Sequence, residues 1–166
     1  MSFVPLPSRS NATLTFNFGG AQVLLIDSNA ASMSVLCQIL SGFGMRRFIR
    51  CTDMSQLEAI VRTQTVDLIL ADPSGFGQPL FDWLLRFRQE RLARNASTLV
   101  LIATTHACLE EVTAARECGA DYVVTKPLSP SVLLERILWA ARRDGRSGRM
   151  NTPGPLASIE ANGLQP

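Results

Sequence analysis

The chain has 166 residues, 46% of them hydrophobic and 18% charged, with a formal net charge of +2. These values suit one globular domain with a buried core, and they exclude a wholesale nucleic-acid binder, which would need many more cations. No apolar run approaches the ~20 residues that span a bilayer and no basic-then-apolar leader opens the sequence, so a cytoplasmic protein without membrane insertion is expected.

Residues 1–20 hold Pro5, Pro7, several Ser and Asn, and a closing Gly19-Gly20. Leu14, Phe16 and Phe18 alternate with Thr15 and Asn17, a weak strand pattern inside what reads as a flexible tail. Val23-Leu24-Leu25-Ile26 is a continuous apolar run, as in a strand covered on both faces. Met33, Leu36, Cys37 and Leu40 recur at helical spacing over 30–42 and stop at Gly42. Phe48-Ile49 marks a short strand, and Leu57, Ile60 and Val61 a second helix started by Asp53 or Ser55. Leu68-Ile69-Leu70-Ala71 is another buried strand, followed by a Gly- and Pro-rich loop over 73–79. A third helix over about 80–92 puts Leu80, Trp83, Leu84 and Phe87 on one face. Leu99 to Ala103 is a fourth strand, 107–118 a fourth helix ended by Gly119, and Tyr122-Val123-Val124 a fifth strand. Pro130 opens a fifth helix ending near Arg143.

Strands alternating with helices predict an α/β protein, a parallel sheet wrapped by helices on both faces. Chemistry in such sheets gathers at the carboxyl ends of the strands. The residues there are Asp27-Ser28, Asp72, Thr104-Thr105 and Thr125-Lys126-Pro127. Two carboxylates, a hydroxyl and an ammonium make a phosphoryl-transfer set: carboxylate oxygens suit Mg²⁺, and lysine offers a point charge to a phosphoryl oxygen. Fifteen of the sixteen basic residues are arginine, and the one lysine, Lys126, falls at this edge, where the planar guanidinium is no substitute for a compact ammonium. The four cysteines (Cys37, Cys51, Cys108, Cys118) form no CxxC pair and read as reduced thiols before a disulfide or metal site. His106 is the only histidine, which argues against a histidine-based metal site. No nucleophile with a general base stands out, so no enzyme is expected.

With "VLLIDS" (23–28), "VDLILAD" (66–72), "LVLIATT" (99–105) and "GADYVVTKP" (119–127) in this order, the chain over about 21–143 resembles a CheY-like response-regulator receiver domain. The resemblance implies a flavodoxin-like, doubly wound five-stranded parallel sheet. It implies Asp72 as phosphoacceptor, Asp27 as an acidic-pocket residue, Thr104 as the switch hydroxyl and Lys126 as the pocket lysine. Asp27, Asp72 and the carbonyl of Ser74 would hold Mg²⁺. The departures are specific: Ser28 stands where a second acidic metal ligand is usual, the loop after Asp72 reads "PSGFGQP", and Val123 stands at a position usually aromatic. Loss of a carboxylate weakens a hard-cation site, so weak or absent Mg²⁺ and poor phosphorylation are expected. On this reading residues 1–20 are an N-terminal extension, 21–143 the receiver-like domain and 144–166 a flexible C-terminal extension.

On the fifth helix, Leu133, Ile137, Ala140 and Ala141 suit the buried face, which leaves Leu138 and Trp139 as an exposed pair. Such a pair is either a contact surface or a cover for the sheet edge or another helix. Beyond it comes "RRDGRSGRM" over 142–150. Basic residues suit a helix C-terminus, but these continue past two glycines. Arginine forks onto phosphate and onto the O6/N7 edge of guanine, and it stacks on bases. Asp144 can accept from guanine N1 and N2 hydrogens, and Gly145 and Gly148 let the backbone bend round a ligand. The segment suits a ligand with guanines and phosphates close together, such as cyclic di-GMP or a stacked pair of them. It is similar to the arginine-rich extension of the Cle proteins, CheY-like regulators that bind cyclic di-GMP and act at the flagellar motor. That resemblance implies a ligand site of Trp139, Arg142, Arg143, Asp144, Arg146, Ser147, Arg149 and Met150, and a flagellar motor switch protein as docking partner in motility control. A monomer is expected. The competing readings are a single-domain regulator phosphorylated at Asp72 with a merely solubilising tail, and a tail that contacts nucleic-acid phosphates.

Overall fold

A computed structural model describes residues 18–142, without the side chains of Ala141 and Arg142. Its elements in chain order are β1 (Gln22–Ile26), α1 (Ala30–Gly42), β2 (Arg47–Cys51), α2 (Leu57–Thr63), β3 (Leu68–Ala71), α3 (Gln78–Glu90), β4 (Leu99–Thr104), α4 (Leu109–Glu117), β5 (Tyr122–Thr125) and α5 (Pro130–Arg142). The sheet order is β2-β1-β3-β4-β5 and every pairing is parallel. This is the parallel sheet that the alternating pattern predicts, in the flavodoxin-like order that the receiver resemblance implies.

Strand composition follows position in the sheet. The central strands β1, β3 and β4 are apolar and almost wholly buried because helices cover both faces. β2 is an edge, and its exposed Arg47 and Arg50 discourage pairing with another chain. Alternate side chains divide between two cores. Leu24, Ile26, Ile69, Val100, Ile102 and Val123 pack with Leu57, Val61, Leu80, Trp83, Leu84 and Phe87 from α2 and α3. Val23, Leu25, Leu68, Leu70, Leu101, Tyr122 and Val124 pack with Met33, Leu36 and Leu40 of α1 and Leu133 and Ile137 of α5.

Several boundaries differ from expectation. α3 begins at Gln78 rather than 80, because Pro79 is tolerated in a first helical turn. α4 is shorter than 107–118, starting at Leu109 after Cys108. Asp53 caps a 3₁₀ turn, Met54–Gln56, rather than α2 itself. Phe18 lies in a turn, packed on the α1/α5 core, rather than in a strand. The strand pattern at Leu14 and Phe16, and the site residues Arg143, Asp144, Arg146, Ser147, Arg149 and Met150, lie outside the described residues.

Polar bonds set the other edge of the sheet. Buried Asn95 donates to the carbonyls of Val61 (2.8 Å) and Gln64 (3.3 Å) and accepts from the Val66 amide (2.8 Å), joining the ends of α2 and α3. Arg88 donates to the carbonyls of Thr98 (2.7 Å) and Gly119 (3.1 Å) and pairs with Asp121 at 2.8 Å, which fixes the starts of β4 and β5.

Candidate functional site

Parallel strands bring β1, β3, β4 and β5 to one edge, and the loops after them carry the chemistry. The Asp72 amide donates to the Ile26 carbonyl (2.8 Å) and the Lys126 amide to the Thr104 carbonyl (2.8 Å), so the ladder continues into the functional residues. Lys126 Nζ lies 2.5 Å from Asp72 Oδ2, 3.2 Å from Asp27 Oδ2 and 2.7 Å from Ser32 Oγ. The three charged side chains are 14%, 6% and 3% exposed, so the ammonium compensates two carboxylates in a largely dehydrated place. The other oxygens are also engaged: Asp27 Oδ1 accepts from the Asn29 amide and Asp72 Oδ1 from the Ser74 amide, each at 2.7 Å. Asn29 in turn caps α1, accepting from the amides of Ala31 (2.9 Å) and Ser32 (3.1 Å).

The predicted pocket residues Asp27, Asp72 and Lys126 therefore meet. Ser28 and Ser74 meet as well, but with each other: Ser28 Oγ donates to the Ser74 carbonyl at 3.0 Å. Gly75 passes so close that a Cβ there would stand 2.5 Å from Ser28 Oγ, and its φ of +85° is one that a side chain resists. A divalent cation here would find two carboxylates already paired with an ammonium and a carbonyl already accepting a hydroxyl proton. Among the described residues, no three acidic, thiol or imidazole side chains gather as metal ligands. These residues do not fit a tight Mg²⁺ site, because hard cations depend on uncompensated carboxylate charge.

Thr104 is fully buried, and its hydroxyl is committed away from Asp72. It donates to Glu111 Oε1 of α4 at 2.9 Å and accepts from the His106 amide at 3.0 Å. Loss of water around Glu111 raises its carboxyl above the usual range; the Thr104 bond offsets part of this, the Asp72 charge adds to it and His106 lowers it. Sequence reasoning missed Glu111, Ser32 and Asn29. Asn29 has a readable signal, a capping residue just before an apolar-periodic run, whereas Glu111 and Ser32 reach the pocket only through the packing of their helices.

At the opposite edge the expectation for Trp139 needs correction. Leu138 and Trp139 are half-buried, not an exposed pair. Trp139 packs on the α1/α5 core and meets Tyr122 edge-to-face, ring centres 6.0 Å apart. Arg136 lays its guanidinium over Tyr122 as well, 4.6 Å from the ring centre. Tyr122 faces α5 while Val123 faces the other core, so Tyr122 lies on the opposite side of the sheet and does not stand in for an aromatic at 123. Arg142 is the last residue of α5.

Residues 23–138 match the response regulator receiver domain family, and the chain belongs to it. The chain is 27% identical over 135 residues to the sensor histidine kinase GacS of Pseudomonas protegens; the match covers 81% of this chain and 15% of the relative's length. A response regulator from Thermotoga maritima superimposes with a TM-score of 0.64 at 19% identity, over 74% of this chain and 98% of that one. The chemotaxis response regulator CheY4 of Vibrio cholerae gives 0.62 at 21%, over 72% and 98%. At these identities the two structures speak for the fold. The family is one of signalling modules that work through protein partners, and no helix among the described residues is long and apolar enough to cross a membrane.

Proposed function

We propose that this receiver is a cyclic di-GMP effector. Its arginine-rich segment, 142–150, binds the nucleotide and orders on it, and the complex docks on a flagellar motor component to control motility. The observation that carries this is the state of the Asp72 pocket. Ser28 replaces a carboxylate and gives its hydroxyl to the Ser74 carbonyl, while Lys126 compensates both remaining acids. A receiver so built is ill suited to Mg²⁺-assisted phosphorylation, and a signalling module without that input needs another. The segment "RRDGRSGRM" supplies guanidinium forks for guanine and phosphate, with Asp144 as the acceptor for guanine.

Calorimetric titration of the full chain with cyclic di-GMP, with GTP and cyclic di-AMP as controls, tests this. Saturable binding of cyclic di-GMP alone is expected. Asp144→Ala should lower the preference for guanine although it makes the segment more positive; a merely electrostatic tail would bind every anion more tightly. No binding at millimolar ligand overturns the reading.

A second reading is favoured by one observation: Asp72, Thr104 and Lys126 are all present at the strand ends, and Lys126 touches Asp72. In that case the chain is a regulator phosphorylated at Asp72. Strong acetyl-phosphate labelling in Mg²⁺, abolished by Asp72→Asn, would support it.

A further inference from the structure

β4 ends in a threonine whose hydroxyl is engaged twice, both times away from the Asp72 pocket. Thr104 is wholly buried, and its carbonyl accepts from the Lys126 amide at 2.8 Å, which fixes its backbone beside β5. The hydroxyl donates to Glu111 Oε1 at 2.9 Å and accepts from the His106 amide at 3.0 Å. Asp72 stands on the neighbouring strand end: β3 and β4 pair with Ala71 beside Ile102, and Asp72 follows Ala71. With the backbone fixed, χ1 is the torsion left to Thr104, and a β-branched side chain has few wells to choose from. A buried hydroxyl without an acceptor is unfavourable, so the place of the acceptor decides the rotamer.

The start of α4 depends on the same bond. Ala115 is the buried residue of this helix, Cys108 gives it no side-chain cap, and Leu109 at its first position is 72% exposed. Glu111 is half-buried in that first turn and takes the Thr104 hydroxyl as its donor. Each group therefore satisfies the other: the carboxylate holds the hydroxyl, and the hydroxyl holds the helix start against the end of β4. Segments with so little buried apolar area open at low free-energy cost once such a link is lost.

We propose that Glu111 is a positioning residue for Thr104: its carboxylate latches the hydroxyl on the α4 side, and when that acceptor is withdrawn the hydroxyl turns to the carboxylates of the Asp72 pocket. Asp72 can receive it, because each carboxylate oxygen, although already bonded to Lys126 or to the Ser74 amide, has a second lone pair. The latch couples two settings, the rotamer of a buried hydroxyl and the seating of the first turn of α4. While it is closed the pocket has the Lys126 ammonium and no hydroxyl donor from β4, so any group bound at Asp72 that needs this hydroxyl must take it from Glu111. The inference is independent of whether residues 142–150 take cyclic di-GMP.

The test is NMR of the full chain, labelled at threonine methyls and carboxyl carbons, for the natural protein and for Glu111→Gln, Glu111→Asp and Glu111→Ala, each also combined with Thr104→Val. Three-bond couplings to the Thr104 methyl should report a single χ1 rotamer in the natural chain. Glu111→Gln keeps an acceptor oxygen at the same reach and should keep that rotamer. Glu111→Ala removes the acceptor and Glu111→Asp withdraws it by one methylene, so in both Thr104 should change rotamer and the Asp72 carboxyl signal should shift. The Val112 amide, bonded to the Cys108 carbonyl, should then exchange at least tenfold faster. Thr104→Val should abolish the Asp72 shift, a dependence on the hydroxyl that a merely structural Glu111 would not show. If Glu111→Ala does not fold, Glu111→Asp carries the same expectation. An unchanged Thr104 rotamer and Asp72 signal on loss of the carboxylate overturns the inference, as does an Asp72 shift that persists with Thr104→Val or is as large in Glu111→Gln.

Discussion

Lys126 contributes most where it has least water. It faces Asp27 and Asp72 together and also donates to Ser32. Removing one partner of a buried ion cluster leaves the rest uncompensated, at about 3–5 kcal/mol. Lys126→Met should therefore lose about that much in urea denaturation, and adding Asp72→Asn should restore part of it. A loss under about 1 kcal/mol would show that water reaches the acids. Glu111 offers a second test at this scale. Its carboxyl is raised above its ordinary 4.5, first by desolvation, with the Thr104 bond opposing. An acid raised in the folded state binds its proton more readily there than in the unfolded chain, so the native state is relatively favoured at low pH. That advantage is lost as pH rises through the folded value. Glu111→Gln has no such titration. Relative to the natural chain it should gain stability as pH rises from below the ordinary carboxylate range to well above it, and a pH-independent difference in melting temperature would count against this electrostatic picture.

At the scale of elements, α5 departs most from its sequence pattern. Leu133, Ile137 and Ala140 are buried as the periodicity requires. Helical spacing alone puts Trp139 beside the apolar stripe and so predicts exposure. A ring that large also reaches sideways, and it finds Tyr122. Trp139→Ala should accordingly cost about 2 kcal/mol in thermal or chemical unfolding, less than the roughly 3–5 kcal/mol of a fully buried aromatic. An unchanged melting temperature would restore the picture of an exposed contact residue. α4 shows the reverse case. Its buried face is slight, with Ala115 as the buried residue, and its first turn is tied down by the bond from Thr104 to Glu111. The Thr104–Glu111 bond thus ties α4 to the carboxyl edge of the sheet, while Ala115 anchors it in the α2/α3 core.

For the whole molecule, the division between what the sequence determined and what the tertiary structure decided follows the range of the forces. Apolar runs such as Val23–Ile26 and Leu68–Ala71, and the repeat of Met33, Leu36, Cys37 and Leu40, are local patterns of period, and they determined the elements, the fold class and the doubly wound sheet. Strand ends are local too, so Asp27, Asp72, Thr104 and Lys126 are legible from the order of residues along the chain. The partners of those residues are not local. Whether Ser28 faces a cation or the Ser74 carbonyl, whether the Thr104 hydroxyl points to Asp72 or Glu111, and which aromatic ring Arg136 covers each depend on groups 7 to 46 residues apart brought into contact by packing. Hydrogen bonds and ion pairs act over a few ångströms in three dimensions and leave no period in the chain. The sequence therefore determined which chemistry stands at each strand end, and only the tertiary structure decided where each donor is directed.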